Sequence, residues 1–71
     1  MNINLNEQRV LEYIGDDYES AYGMAKKCGM NWFIAFGTMC VLALEGRLEY
    51  IKLANKNYLF RKNQSGGILD D

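Results

Sequence analysis

The side chains of this chain that could do chemistry are two cysteines, Cys28 and Cys40, and two neighbouring carboxylates, Asp16 and Asp17. The chain has no histidine, so neither thiol has the usual base that would convert it into a nucleophile. The cysteines do not form a Cys-x-x-Cys pair, so a zinc site is not predicted either. We interpret both as reduced thiols, with a single disulfide as the weaker alternative.

The two carboxylates lie in the acidic stretch DDYE, residues 16–19, which has the composition of a solvated loop. A glycine-rich phosphate loop is not predicted, because Gly66 and Gly67 stand in a polar stretch that no helical pattern follows. The sequence therefore predicts a protein that is not an enzyme, with no cofactor, no metal and no small-molecule substrate.

The longest uncharged run, Cys28–Leu44, has to be explained by any functional hypothesis. It covers seventeen residues in a chain that is 24% charged. A transmembrane helix needs roughly 20 apolar residues, whereas Trp32–Leu44 is 13 residues long and contains a glycine and a threonine. We therefore predict no membrane partner. Met1–Ile14 lacks the apolar segment of a secretory signal, which favours a cytoplasmic protein.

The elements that must position these residues begin with a helix near the N-terminus. At 71 residues the chain is long enough for one small domain. The first helix is predicted to follow an N-cap at Asn6 and to end at Gly15. Leu5 and Val10 are spaced to form a hydrophobic staple across that cap.

Two further helices are predicted from their caps. Ser20 is suited to cap the short helix AYGMAKKC, which is expected to end at Gly29. Asn31 is suited to cap a third helix that runs to about Glu45 and is ended by Gly46.

After residue 46 the apolar pattern changes from helical to alternating. RLEYIKL (47–53) and YLFRK (58–62) predict two strands, joined by ANKN, whose asparagines tolerate the left-handed backbone of a tight turn. The predicted fold class is α+β, with one domain over residues 1–62 and a flexible tail over residues 63–71.

Spacing in the middle of the chain resembles a known family. In MAKKCGMNWFIAFGTMCVLALEGRLEY, a small residue, Ala25, is followed four positions later by the turn residue Gly29. Apolar residues and a terminal Glu-Gly pair then follow at Ala35, Met39, Leu42 and Glu45-Gly46. The segment resembles the helix-turn-helix of the winged-helix family, and the likeness extends over about Asn6 to Lys62. It implies three helices followed by a two-stranded β-hairpin wing.

The same spacing predicts the core. Two helices joined at a tight turn can bury one shared stripe, which the first helix, Leu48 and one face of residues 50–53 would cover. The stripe consists of Met24, Cys28, Met30, Ala35, Met39 and Leu42.

The resemblance implies a DNA-binding protein, in particular a transcriptional regulator that acts as a dimer. Residues 20–64 carry seven basic and two acidic side chains, a net +5, whereas residues 1–19 carry one basic and five acidic, a net −4. Phosphate contacts on duplex DNA are then expected from Lys26, Lys27, Lys52, Lys56, Arg61 and Lys62. The lysines could instead only solubilise an exposed wing.

Base recognition by the third helix departs from the pattern of DNA-binding members. The positions expected to face DNA are Asn31, Trp32, Phe33, Phe36, Gly37 and Cys40, and among them only Asn31 has a side chain that commonly reads a base edge. Asn31 and Thr38 are therefore the expected base contacts, and weak ones.

The alternative function is a protein-interaction or dimerisation module that does not bind DNA. Its predicted surface is Trp32, Phe33, Phe36, Gly37, Cys40 and Leu44, an exposed apolar patch that would need another protein or a second copy to cover it. A further alternative turns these aromatic side chains inward, or covers them with Leu5 or with Ile68 and Leu69.

Overall fold

A computed structural model describes residues 4–64, which form three helices and a three-stranded antiparallel sheet. The elements are, in chain order, α1 Leu5–Tyr13, β1 Glu19–Ser20, α2 Ala21–Cys28, α3 Trp32–Leu44, β2 Leu48–Lys52 and β3 Tyr58–Lys62. The sheet order is β1-β3-β2. The α+β class is confirmed, but the predicted two-stranded sheet is corrected to three strands.

α1 begins two residues earlier than the sequence predicted. Its N-cap is Asn4, whose Oδ1 accepts from the backbone N–H groups of Asn6 at 2.8 Å and Glu7 at 3.3 Å. The predicted cap at Asn6 is therefore wrong. Leu5 becomes the first helical residue and is 74% exposed, so the expected staple to Val10 does not form.

α1 also ends earlier than predicted, because Ile14 leaves the helix to enter the core. Ile14 has an extended backbone and is buried, and its N–H donates to Val10 O at 2.8 Å. The carbonyl of Gly15 then accepts from the backbone N–H of Lys62 at 2.9 Å. The chain is thereby turned from α1 towards β3.

The caps predicted for α2 are confirmed. Ser20 Oγ accepts from the N–H of Gly23 at 3.0 Å. Gly29 adopts the left-handed conformation, φ 68°, which lets Met30 donate its N–H to Ala25 O at 3.0 Å and end the helix.

α3 likewise begins and ends as predicted. Asn31 Oδ1 accepts from the N–H of Phe33 at 2.7 Å, and Gly46 takes a left-handed φ of 82° after the helix. Between residues 4 and 64, no single helix has the length and apolarity needed to cross a membrane. α2 and α3 meet that criterion only when counted as one segment, which is bent by 110° at the break.

The β2–β3 hairpin pairs Leu48 with Lys62 at one end and Lys52 with Tyr58 at the other. In its turn the left-handed residue is Lys56, φ 72°, and not an asparagine as predicted. Asn55 instead accepts a hydrogen bond from the N–H of Asn57 at 3.2 Å.

β1 is the element that the sequence did not predict. Glu19 pairs with Phe60 and Ser20 with Leu59, so the end of the stretch interpreted as a solvated loop adds a strand to the hairpin. Two residues are too few to show the alternation that marks a strand.

The core lies between the three helices and one face of the sheet. Five of the six residues of the predicted stripe are buried. Cys28 is 4% exposed, and the other four have no exposed surface: Met24, Ala35, Met39 and Leu42. Met30, the sixth, is only half-buried. The remaining buried side chains are Val10, Ile14, Ala21, Ala25, Leu48 and Phe60.

The hairpin contributes to the core through the predicted Leu48, which is 2% exposed, and through one residue that was not predicted. Tyr50, Ile51 and Leu53 are 55%, 38% and 37% exposed, whereas Phe60 on the neighbouring strand is 2% exposed. The expectation that residues 50–53 cover the core is therefore wrong, and β3 supplies the largest buried side chain.

Candidate interaction surface on the third helix

The side of α3 that faces away from the core is apolar along its whole length. Its large side chains are Phe33, Ile34, Val41 and Leu44, which are 74%, 45%, 41% and 87% exposed, and with Gly37 they form what we call the outward face. α3 carries no charged residue on any side. Exposed apolar side chains that cluster on one surface commonly mark an interaction site.

Gly37 lies in the middle of the outward face and has no structural need to be glycine. A Cβ added there would meet nothing within 4 Å, and its backbone does not have a positive φ. Glycine inside a helix costs about 1 kcal/mol relative to alanine. The space above Gly37 is therefore left open at a cost in helix stability.

Trp32 and Phe36 occupy the edge of α3 that faces the hairpin. Their rings are stacked, with centroids 5.4 Å apart and planes 3° apart, and Trp32 remains 47% exposed. Phe36 is half-buried and lies 6.2 Å from the Tyr58 ring and 6.3 Å from the Phe60 ring. The expectation that Phe36 points outward is corrected, because its ring joins the helix to the sheet.

The further alternative, in which the aromatic side chains turn inward or are covered, is confirmed only in part. Phe36 and Cys40 are half-buried against the core. Phe33 and Leu44 stay 74% and 87% exposed, although the Trp32 ring lies 6.1 Å from that of Phe33. Leu5 is itself 74% exposed. Ile68 and Leu69 lie outside the described residues.

A shallow apolar groove of about 260 Å³ runs between α3 and the hairpin. We call it the hairpin groove. Burial raises the pKa of the Cys40 thiol, which lines this groove. Leu44 belongs both to this groove and to the outward face, so the two apolar surfaces are continuous. The groove is lined by Phe36, Cys40, Ala43, Leu44, Tyr50, Tyr58 and Phe60.

Two of the six side chains expected to bind phosphate form ion pairs with carboxylates of the same chain at its surface. Lys27 pairs with Glu19, and Arg61 Nε donates to Glu49 Oε2 at 2.5 Å. The Arg61 guanidinium also lies over the Tyr18 ring, 4.5 Å from its centroid, and the hydrogen bond to Glu49 raises its pKa. These contacts reduce what either cation can offer to a phosphate.

Three of the other lysines lie around a second cleft at the tip of the hairpin, about 430 Å³ in volume. Lys56 lines this tip cleft directly. Lys26 Nζ lies 5.2 Å from the centroid of the Tyr22 ring and Lys52 Nζ 5.9 Å from that of Tyr58, and both tyrosines line the cleft. Lys62 pairs with Leu48 at the opposite end of the hairpin.

The two residues expected to contact bases already make internal hydrogen bonds. Asn31 Oδ1 is the acceptor of the α3 N-cap, and Thr38 Oγ1 donates to Ile34 O at 2.7 Å. Asn31 retains its amide N–H groups for other contacts, but its orientation is fixed by the cap.

The two cysteines do not form a disulfide with each other, and Asp16 is hydrogen-bonded to a polar side chain. Cys28 and Cys40 are both free, and burial raises the pKa of the Cys28 thiol. Arg9 donates to the backbone oxygen of Cys28 at 3.2 Å and not to its sulfur. Asp16 accepts from Gln64 Nε2 at 2.9 Å. Within residues 4–64, no three potential metal ligands come together.

Comparison with known proteins returns no relative: the sequence matches no family profile, no curated protein and no solved structure. Ile34 and Val41 were missed as exposed residues. A helical projection that starts from the buried residues Ala35, Met39 and Leu42 would have placed both on the outer side.

Proposed function

We propose that this chain is a winged-helix-like protein-interaction module that binds a polypeptide partner through the outward face of α3. The observation that carries this proposal is the exposure of Phe33, Ile34, Val41 and Leu44 on a helix without any charge. Burying such side chains against a partner contributes about 25 cal/mol for each Å² of apolar surface removed from water.

The winged-helix assignment is supported by the order of the elements and by the turn between α2 and α3. Gly29 is left-handed and the chain direction changes by 110° between the two helices, which suits a helix-turn-helix. The β2–β3 hairpin follows α3 directly, as a wing would.

In a helix-turn-helix that reads DNA, the second helix of the motif enters the major groove. Here that helix would bring Phe33, Val41 and Leu44 against base edges, where hydrogen-bonding side chains are needed. Lys27 and Arg61 are also ion-paired with carboxylates of the chain, which compete with phosphate for both cations. The geometry thus favours a protein partner over DNA.

Duplex DNA is the second candidate, and the tip cleft is the observation that favours it. Lys56 lines this cleft, Lys26 and Lys52 lie over tyrosine rings that line it, and no described carboxylate is ion-paired with any of the three. Three phosphate contacts would give binding that falls steeply as salt rises.

Fluorescence anisotropy with a labelled duplex at low and moderate salt tests the second candidate. DNA binding requires an affinity that falls with salt and is lost in Lys52→Glu/Lys56→Glu. If the proposed function is correct, the duplex does not bind. The anisotropy then stays at the value of the free duplex for the unmodified chain and for Trp32→Ala and Phe33→Glu alike.

The proposed function itself is tested with an apolar fluorescent dye, 8-anilinonaphthalene-1-sulfonate, on the full chain at low concentration, where the outward face is not covered by self-association. Phe33→Glu should remove most of the dye fluorescence, because it places a charge in the outward face. Leu5→Glu is the matched control, since Leu5 is also 74% exposed but lies on α1. Equal loss in both variants, or no loss in either, would refute an apolar binding surface on α3.

A further inference from the structure

We infer that the partner of the outward face is a second copy of this chain, with the two α3 helices packed antiparallel across a two-fold axis at Gly37. This inference rests on the proposed function and names the partner of the same surface. Three features of α3 support a second copy: the arrangement of its outward residues, their lack of charge and the open space at Gly37.

Two of the four large side chains of the outward face are spaced equally about Gly37. Phe33 lies four residues before it and Val41 four residues after it, each about 6 Å away along a helix that rises 1.5 Å per residue. A two-fold interface requires that if residue i contacts residue j, then j also contacts i. An antiparallel crossing at Gly37 meets this condition by placing Phe33 of each copy against Val41 of the other.

The antiparallel direction fits better than the parallel one for two reasons. It sets the large Phe33 ring against the smaller Val41 side chain, whereas a parallel pair would place the two Phe33 rings together. The antiparallel pair also brings the positive N-terminal end of each helix dipole towards the negative C-terminal end of the partner helix.

The absence of charge on the outward face favours a second copy over a charged partner. A self-complementary interface brings each side chain close to its own kind or its symmetry mate, so one charged group near the axis would meet a like charge. α3 has none, and the net charge of the whole chain is only −1. Self-association therefore meets little electrostatic resistance.

Gly37 sits where the two backbones would come closest. Helices normally pack with their axes 8–10 Å apart, at a distance set by the side chains at the crossing point. With no side chain and no neighbour within 4 Å of its Cβ position, Gly37 allows an approach at the near end of this range. The flanking large side chains can then reach the partner helix on both sides.

Sedimentation equilibrium of the full chain, from about 1 µM to about 1 mM, measures the association. The unmodified chain should pass from 8.2 kDa to twice that mass as concentration rises. Phe33→Glu should weaken association by at least about tenfold, as expected for a central interface residue, whereas Leu5→Glu should leave it unchanged.

Cysteine cross-linking in a Cys40→Ser background tests the direction of the helices. Gly37→Cys should form a covalent dimer on mild oxidation, because both copies of residue 37 lie at the axis. Val41→Cys alone should not, since the two copies of residue 41 lie on opposite sides of the axis, but Phe33→Cys/Val41→Cys should. Cross-linking by Val41→Cys alone would overturn the antiparallel arrangement.

The outcomes separate this inference from the proposed function. A chain that stays at 8.2 kDa at every concentration, yet binds dye through Phe33, has an outward face for a different polypeptide, and the self-pairing is wrong. A chain that stays monomeric and binds dye independently of Phe33 refutes both.

Discussion

The ring of Phe36 on α3 meets the ring of Phe60 on β3 edge-on, with centroids 6.3 Å apart and planes at 75°. Phe60 is 2% exposed, and its ring also lies 6.1 Å from Tyr50 and 6.5 Å from Tyr58. The hairpin is therefore joined to the helices through an aromatic cluster with Phe60 at its centre.

Replacing Phe60 should detach the hairpin from the helices. Phe60→Ala removes a fully buried aromatic side chain, and such changes cost about 3–5 kcal/mol of unfolding free energy. Urea denaturation followed by circular dichroism measures this loss. Ile51→Ala is the control, because Ile51 lies on the other face of the sheet and is 38% exposed. Phe60→Leu provides a milder variant if Phe60→Ala does not fold, and losses no larger than that of Ile51→Ala would contradict the cluster.

Asn4 caps α1, whereas the nearby Asn6 lies inside the helix. Asn4→Ala should lower the unfolding free energy by about 1 kcal/mol, because it removes the acceptor for two backbone N–H groups. Asn6→Ala should be neutral or slightly stabilising, since Asn6 is exposed inside the helix and alanine is the better helix former. Thermal denaturation of both variants measures the difference, and a larger loss for Asn6→Ala would restore the predicted cap.

The helices and the hairpin could be predicted because each boundary is specified locally. Ser20, Asn31, Gly29 and Gly46 each supply a hydrogen bond or a backbone conformation that needs no distant residue. The start of α1 could not be predicted in this way, because Asn4 and Asn6 are both suited to be its N-cap. β1 could not be predicted, because its two residues are a strand only where β3 pairs with them.

The candidate surface was predicted only in part, because its positions were taken from the outer face of a DNA-reading helix. Phe33, Gly37 and Leu44 are exposed as expected. Phe36 and Cys40 are instead half-buried, because the sheet contacts the edge of α3 on which they lie. The packing of β3 against that edge depends on Phe60, whose burial was not evident from the hairpin sequence.

Two left-handed positions should respond in opposite directions to substitution. Lys56 has a φ of 72°, which is unfavourable for a side chain, so Lys56→Gly should raise the unfolding free energy by up to about 1 kcal/mol. Gly29 has a φ of 68°, so Gly29→Ala should lower it by about 1–2 kcal/mol. Chemical denaturation measures both. Destabilisation by Lys56→Gly would show that the Lys56 side chain stabilises the turn through contacts.

Both thiols should react slowly in the folded protein. Burial raises their pKa values, so less reactive thiolate is present at pH 8 than in the unfolded chain. Alkylation by iodoacetamide, followed by mass spectrometry, should label the half-buried Cys40 before the buried Cys28. Labelling as fast as in denaturant would contradict the burial.

The same pKa shifts predict how stability changes at alkaline pH. The folded chain holds the thiol protons more tightly than the unfolded chain, so their contribution is complete below the ordinary pKa of cysteine. It is lost as pH rises from there through the raised pKa values. Cys28→Ala/Cys40→Ala should lack this part of the alkaline decline, measured by urea denaturation as a function of pH.

Gly37→Ala should separate the stability of the single chain from its association. At low concentration, where the chain is monomeric, alanine should raise the unfolding free energy by up to about 1 kcal/mol, because it improves the helix and meets no neighbour. At high concentration the added methyl group should push the two helices apart and weaken the dimer. Thermal denaturation at low concentration and sedimentation equilibrium over the full range measure the two effects. Alanine that stabilises the monomer and leaves association unchanged would place the crossing point away from Gly37.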